Sequence, residues 1–289
     1  HALHAVALVV FACSTLAQPI ELPHAPAGVE TFVHADIQFA RVRANDVQPF
    51  IPTNGPLNRP IGAGSWDFSI ARTELTQQQW VDFMADFNAV AVPQGRPWTS
   101  AVEVVLGGGG WIGPGMYFTE IGPLGRPLQR VTPEGAMRPL AGAGWLGGAL
   151  FCNWLQSGQQ DTIDALINGG AYDLSRFDLD DGNTWPTGTR LPEARYWMPT
   201  YDQWALASFY DPSRHGEGHA GWWTYLNRRD RLGIPGPPGA GETSANWDPD
   251  DPNYNARRNP IASYPNSQSP WGLLDTSGTF REQLDDQWP

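Results

Sequence analysis

Lysine is absent from the chain of 289 residues, so all 18 of its cationic side chains are arginines. This absence excludes the Schiff-base chemistry of pyridoxal enzymes and the phosphate-loop lysine of Walker-type nucleotide hydrolases. The formal net charge is −12, and no basic stripe interrupts the acidic excess. Because phosphate contacts supply most of the affinity for nucleic acid, the sequence predicts no nucleic-acid partner. An excess of carboxylates suits divalent cations instead.

Cysteine is almost as scarce, with Cys13 and Cys152 as the two thiols. Residues 1–17 contain a short apolar run followed by small residues, which resembles a secretory signal peptide whose beginning is missing. The apolar run is too short to span a bilayer, so we expect no membrane span and a secreted, periplasmic or cell-surface protein. Lipid anchoring at Cys13 is the alternative reading of the same segment.

Cys152 lies within the apolar helical stretch Leu150–Leu155. A cysteine in such a setting is usually an inert, small apolar residue, and the alternative is a reactive thiol. If Cys13 leaves with the signal, the remaining thiol has no partner for an internal disulfide.

Glycine and proline are abundant, at 32 and 27 residues, and the chain has 14 tryptophans. This composition predicts many turns, little regular structure and a core that buries large rings from irregular backbone. Residues 18–289 show no internal repeat and no clean linker, so we expect a single domain, acting as a monomer.

Three helices are predicted, at about 76–87, 145–155 and 200–209. The first and third begin with capping boxes, Thr76 with Gln79 and Thr200 with Gln203. A shorter helix is expected near 162–167, within an acidic insertion at Asp161–Thr189. Alternation predicts one early strand over Thr31–Val42 and another at Trp66–Ile70.

Four segments, taken in order, resemble the landmarks of the formylglycine-generating enzymes, or sulfatase-modifying factors. They are Ile70–Trp80, Arg138–Leu155, Met198–Ala207 and Pro260–Gly278. The resemblance covers roughly Trp66 to Glu282 and identifies the chain as a member of that family. It implies an α+β fold that is irregular, rich in loops and related to C-type lectins.

The resemblance also implies an oxidase that converts a substrate cysteine to formylglycine with copper held by two cysteines. Soft thiolates suit that metal. The family's cysteine pair lies in a region that would follow Pro289, and Cys152 matches a structural position of the family instead. We therefore expect the C-terminal part of the domain to be missing, with copper bound only if a cysteine pair lies beyond residue 289. Within the sequence we name no catalytic residue.

Calcium is the second metal that the resemblance implies. The family's calcium loop matches two carboxylates and two backbone carbonyls here, those of Asp275, Glu282, Gly278 and Phe280. Such a mixture of oxygen ligands is how small calcium sites reach six to eight ligands. A solvated acidic loop is the alternative.

A second family calcium site would begin at Asn246 and Trp247, although the residues that follow do not align cleanly. If the oxidase chemistry is absent, the alternative function is a non-catalytic, lectin-like domain that binds a protein or a glycan. The Asp161–Thr189 insertion and the aromatic cluster Trp222–Tyr225 favour a specialised surface, although aromatic residues are also common in cores.

Overall fold

A computed structural model describes the greater part of the chain. The described residues are 21–51, 59–91, 116–121, 127–141, 143–168, 170–175, 189–244, 259–278 and 284–286. The strands in these residues are Thr31–His34 (β1), Ile37–Val47 (β2), Gly64–Ala71 (β3), Met116–Ile121 (β4), Pro127–Val131 (β5), Tyr172–Asp173 (β6), Thr189–Arg190 (β7), Tyr210–Asp211 (β8) and Gly221–Trp222 (β9). The helices are Gln77–Ala91 (α1), Pro133–Ala136 (α2), Trp145–Gln156 (α3), Ile163–Ile167 (α4) and Tyr201–Phe209 (α5). Short helices mixed with short strands make this an α+β fold, as predicted.

The main sheet has the order β1-β2-β3, and all its pairs are antiparallel. The prediction of one strand over 31–42 was wrong, because the chain reverses between β1 and β2. Ala35 and Asp36 form the turn, with positive φ angles of 49° and 58°. Two left-handed residues in succession suit a tight hairpin, yet neither is the glycine or asparagine that usually marks one. The predicted strand at 66–70 is confirmed within β3.

Helix α1 begins at the predicted capping box. The backbone N–H of Gln79 donates to Thr76 Oγ1 at 3.1 Å, and the N–H of Thr76 donates to Gln79 Oε1 at 2.9 Å. The apolar face of α1 is fully buried, as the spacing predicts, and consists of Trp80, Phe83, Met84 and Phe87. Helix α5 begins in the same way, with a capping box between Thr200 and Gln203.

Helices α3 and α4 confirm the predicted helices near 145–155 and 162–167. The interpretation of Asp161–Thr189 as a surface insertion is wrong in its described part. Ala165, Leu166, Ala171 and Leu174 are all buried in the core. The segment therefore supplies one side of the core around α3, instead of standing outside the domain.

The core forms two clusters, and both contain large aromatic side chains. One lies among α1, α3 and the 166–174 segment, and the other lies between β2, β3, α5 and Trp271. Trp197 packs against both clusters and joins them. Among the described residues, no helix combines the length and the apolar character that a membrane crossing needs.

Arg72, at the end of β3, is almost fully buried. Its Nε donates to the carbonyl of Gly272 at 2.8 Å, and one Nη donates to the carbonyl of Pro23 at 2.8 Å. The side-chain amides of Gln38 and Gln268 accept from the remaining N–H groups. One guanidinium thus fastens the N-terminal segment and the 268–272 loop to the main sheet.

We predict that Arg72→Met lowers the free energy of unfolding by about 3–5 kcal/mol, because several buried carbonyl oxygens lose their donors at once. Denaturant unfolding measures the change. Arg130→Gln, at an exposed arginine of β5, is the control and should change stability by less than about 0.5 kcal/mol. Equal stability of the Arg72 variant and the wild type would contradict the role assigned to this side chain.

Candidate functional site

The loop before Asp275 is held tightly. Ser269 Oγ accepts hydrogen bonds from the backbone of Trp271 and Leu273, at 3.3 Å and 3.1 Å. The backbone N–H of Leu274 donates to the carbonyl of Arg72 at 2.7 Å. Leu273 and Leu274 are buried, so Asp275 leaves the core from a fixed position.

Asp275 is a half-buried carboxylate with little compensation for its charge. Its Oδ2 accepts a hydrogen bond from the backbone N–H of Ala262, and both residues have left-handed backbones with φ of 57° and 60°. Burial raises the pKa of Asp275 to about 6, and no cationic side chain of the described residues offsets this effect. A buried carboxylate without a positive partner is unfavourable when ionised, and a bound cation would relieve that.

The other predicted calcium ligands are only partly placed. Gly278 follows Asp275 in the same loop, with a φ of 123° that favours glycine. Phe280, Glu282, Asn246 and Trp247 lie outside the described residues. Within the described part of the chain, no group of three or more His, Cys, Asp or Glu side chains is placed to hold a metal ion.

Cys152 lies in the middle of α3 and is buried. Burial is the main cause that raises the pKa of its thiol to about 12, and the charge of Asp285 adds to the effect. The thiol is therefore protonated at neutral pH. The residues described here do not fit the family's copper site, since that site needs two thiolates and Cys152 supplies a single neutral thiol.

Tyr172 connects the core around Cys152 to Asp285, near the end of the sequence. Its hydroxyl donates to Asp285 Oδ1 and accepts from the backbone N–H of Met198, both at 3.0 Å. Arg190 approaches the same carboxylate at 3.8 Å and lies over the ring of Trp197. Burial raises the pKa of Tyr172, so the phenol stays neutral and acts as a structural hydrogen-bonding group. Sequence reasoning missed this network because its members are far apart along the chain.

The rings of the predicted aromatic cluster, Trp222, Trp223 and Tyr225, are half-buried. They are thus neither a fully exposed binding surface nor part of a fully buried core, the two alternatives that the sequence left open. Trp222 is fixed by a hydrogen bond from its Nε1 to the carbonyl of Gln48 at 2.8 Å. Its ring lies 5.9 Å from that of Phe50 and 5.3 Å from that of Tyr210. Phe50 and Ile51 beside it are exposed, at 42% and 67%. Phe50, Ile51 and Trp222 form an apolar patch on the outside of the protein, which we call the aromatic surface.

His215 and His219 lie four residues apart in the sequence, a spacing that would suit a metal site on a helix. They do not form a metal site in the described structure. The backbone N–H of His215 donates to the carbonyl of His219 at 2.9 Å, and both residues are exposed in a turn. The adjacent Arg214 lies over the ring of Trp223, 4.8 Å from its centroid, and pairs with Asp230.

The four sequence landmarks lie in order along this α+β fold, as the resemblance to the sulfatase-modifying factors implies. Residues 63–289 match the family described as "Sulfatase-modifying factor enzyme 1-like domain", and the chain belongs to that family. Among solved structures, the chain is similar to one described as "Crystal Structure of CarF", at 18% identity and a TM-score of 0.45, covering 88% of this chain and 82% of that one. No curated protein matches the chain.

We predict that Cys152 is nearly inert toward thiol reagents while the protein is folded. A pKa of about 12 in place of 9.0 leaves about a thousandfold less thiolate at pH 8, and burial slows access further. Labelling by a disulfide reagent in the Cys13→Ser background measures this, with the urea-unfolded protein as control. Labelling of the native protein as fast as the unfolded one would contradict the burial of this thiol.

Proposed function

We propose that the residues described here form a binding domain of the sulfatase-modifying-factor family, and that they do not carry its copper oxidase chemistry. The observation that supports this is the state of Cys152, a neutral thiol inside the hydrophobic core. A relation to C-type lectins, secretion and a protein or glycan partner belong to the same proposal.

We also propose that calcium binds at Asp275. The carboxylate is half-buried and lacks a cationic partner among the described residues. Gly278 of the same loop and Ala262, which donates its backbone N–H to Asp275, both have positive φ angles. Its ionised form is disfavoured by the fold, which is the condition that a divalent cation corrects. Calcium would then stabilise the loop that Arg72 and Ser269 already fasten to the core.

We predict opposite responses of Asp275→Asn with and without calcium. The folded pKa of about 6 lies above the ordinary 3.8, so the ionised carboxylate costs stability progressively as pH rises from about 4 to about 6, by up to about 3 kcal/mol. With chelator at pH 7, Asp275→Asn should therefore unfold at a higher temperature than the wild type. At pH 4 the difference should vanish, because the wild-type carboxyl is then neutral in the folded protein.

Calcium in excess should raise the melting temperature of the wild type by several degrees and leave that of Asp275→Asn unchanged, because only the wild type binds the ion. Glu217→Gln removes the same charge from the exposed 215–219 turn and is the matched control, which should respond to calcium as the wild type does. A wild type whose melting temperature is the same in calcium and in chelator would rule out the calcium site.

The aromatic surface is the best candidate for contact with a glycan or a protein. Tryptophan and other aromatic rings supply large, rigid contact areas at little cost in conformational entropy. Trp222 is held from behind by Gln48 and Tyr210, while Phe50 and Ile51 extend the surface outward. The ring of Trp222 is thus held in place by contacts within the protein.

We predict that Phe50→Ala weakens partner binding about tenfold or more, since central aromatic contacts usually dominate such interfaces. Screening on glycan and peptide arrays identifies the partner, and titration of the variants follows. Phe32→Ala is the matched control, because Phe32 is exposed to 43%, close to the 42% of Phe50, but lies on β1. Blank arrays, or equal losses in the two variants, would count against this surface.

A further inference from the structure

A cavity of about 610 Å³ lies beside the two core clusters. It is enclosed by β3, the start of α1, helix α3, the 195–204 segment and the residues next to Asp275. Most of its described lining is apolar, including Ile37, Phe39, Leu140, Phe151, Leu155 and Leu274. Its volume falls within the range of sites for small organic molecules, about 300–1,000 Å³.

Gln203 gives the cavity a fixed hydrogen-bond donor. Its Oε1 accepts from Trp197 Nε1 at 3.1 Å and from the backbone N–H of Thr200 at 3.0 Å. Since both partners are donors, the amide cannot be reversed. The Nε2 group donates no hydrogen bond to any described residue, although Gln203 is only 8% exposed and lines the cavity. The Nε2 group is therefore available to a ligand oxygen that enters the cavity.

Arg195 gives the cavity a positive charge at its opening. The residue lines the cavity and is exposed, so it lies where the cavity meets solvent. One of its Nη atoms donates to the carbonyl of Gln156 at 3.0 Å. No carboxylate of the described residues lies within ion-pair distance of it, whereas most of the described arginines are paired. In a chain of net charge −12, this is an unusual position for an unpaired cation.

The acidic side chain of the described lining is Glu74, whose carboxylate oxygens are buried from solvent. Arg195 is exposed at the opening, whereas the carboxylate oxygens of Glu74 lie at a buried part of the lining. A ligand anion would meet attraction only at the opening. The interior favours an uncharged apolar body.

We propose that this cavity binds a small amphiphilic anion, an aliphatic or aromatic acid with a single carboxylate. The apolar body fills the space between β3 and α3. The carboxylate lies at the opening, where Arg195 neutralises its charge and Gln203 Nε2 donates a hydrogen bond to it. The cavity adjoins the calcium loop, because Leu274 and Thr276 line it, but the side chain proposed to bind calcium, Asp275, does not. Neither Phe50 nor Trp222 of the aromatic surface lines it.

Sodium dodecanoate, below its micellar concentration, is the probe. Isothermal titration calorimetry of the full chain should show saturable binding of one equivalent, with a negative heat-capacity change that marks apolar burial. Dodecanol and dodecyltrimethylammonium have the same tail with no charge and the opposite charge, and both should bind at least about fivefold more weakly. Equal binding of all three would overturn the assignment of the carboxylate to Arg195.

Arg195→Gln should weaken dodecanoate about fivefold and leave dodecanol unchanged, because it removes the charge at the opening alone. Arg130→Gln is the matched control, an exposed arginine that does not line the cavity, and should bind as the wild type does. Ala143→Leu places added carbon in the cavity and should abolish binding of both dodecanoate and dodecanol. If Ala143→Leu fails to fold, the comparison of Arg195→Gln with Arg130→Gln still decides the proposal.

Absence of dodecanoate binding by the wild type would overturn the cavity proposal. Its failure would leave the binding domain of the preceding proposal untouched, because that proposal rests on Cys152 and on the aromatic surface. Conversely, blank glycan and peptide arrays together with tight dodecanoate binding would move the binding function of the domain from its surface to this cavity.

Discussion

The guanidinium of Arg72 is the interaction on which the arrangement of loops depends. A fold with a three-stranded main sheet has few backbone ladders to hold distant segments together, and its loops must find other donors. Arg72 has five N–H groups in one plane and uses them on carbonyl and amide oxygens from three parts of the chain. Burial lowers the pKa of Arg72, but its ordinary value is so high that the group remains charged. Asp275 begins its loop only three residues after Gly272, one of the carbonyls that Arg72 holds.

Inside the core, the side-chain amide of Asn153 also holds distant segments of the chain together by hydrogen bonds. Asn153 lies within the apolar helix α3, fully buried, and its Oδ1 accepts from the backbone N–H of Tyr172 at 2.8 Å. Its Nδ2 donates to the carbonyls of Leu166 and Tyr172. Gly170 packs so closely on this amide that a Cβ there would overlap it. The amide therefore replaces strand pairing where the 165–174 segment crosses the helix, and one polar residue in an apolar helix is the signal that could have revealed it.

The sequence predicted the helices well and the strand pairing poorly, and the physical reason is range. The helix starts at Thr76 and Thr200 depend on residues three positions apart, so a local pattern contains the whole interaction. The hairpin at Ala35 and Asp36 places an alanine in the left-handed region, which its identity does not favour. The long β2 that follows pairs with residues between 17 positions away, as Val47 does with Gly64, and 32 positions away, as Phe39 does with Ala71. The network of Tyr172 and Asp285 spans 113 residues and leaves no local trace. Of the predicted metal ligands, the structure places Asp275 and Gly278 in one loop, whereas their ligand geometry depends on residues outside the described part.

Cys152 and Asp275 show why family membership and chemistry are separate questions in this protein. Burial raises the pKa of both groups, to about 12 and about 6. For the thiol the shift costs little folding free energy at neutral pH, because a cysteine is mostly protonated in both the folded and the unfolded protein. For the carboxylate the same physical cause opposes ionisation at the pH where the group would normally be charged. The fold can therefore keep Cys152 as an apolar core residue without any compensating partner, while Asp275 is the position at which burial creates a need for positive charge. Burial thus leaves the thiol as a packing residue, whereas the same physical cause gives the ionised carboxylate of Asp275 a cost in folding free energy at neutral pH.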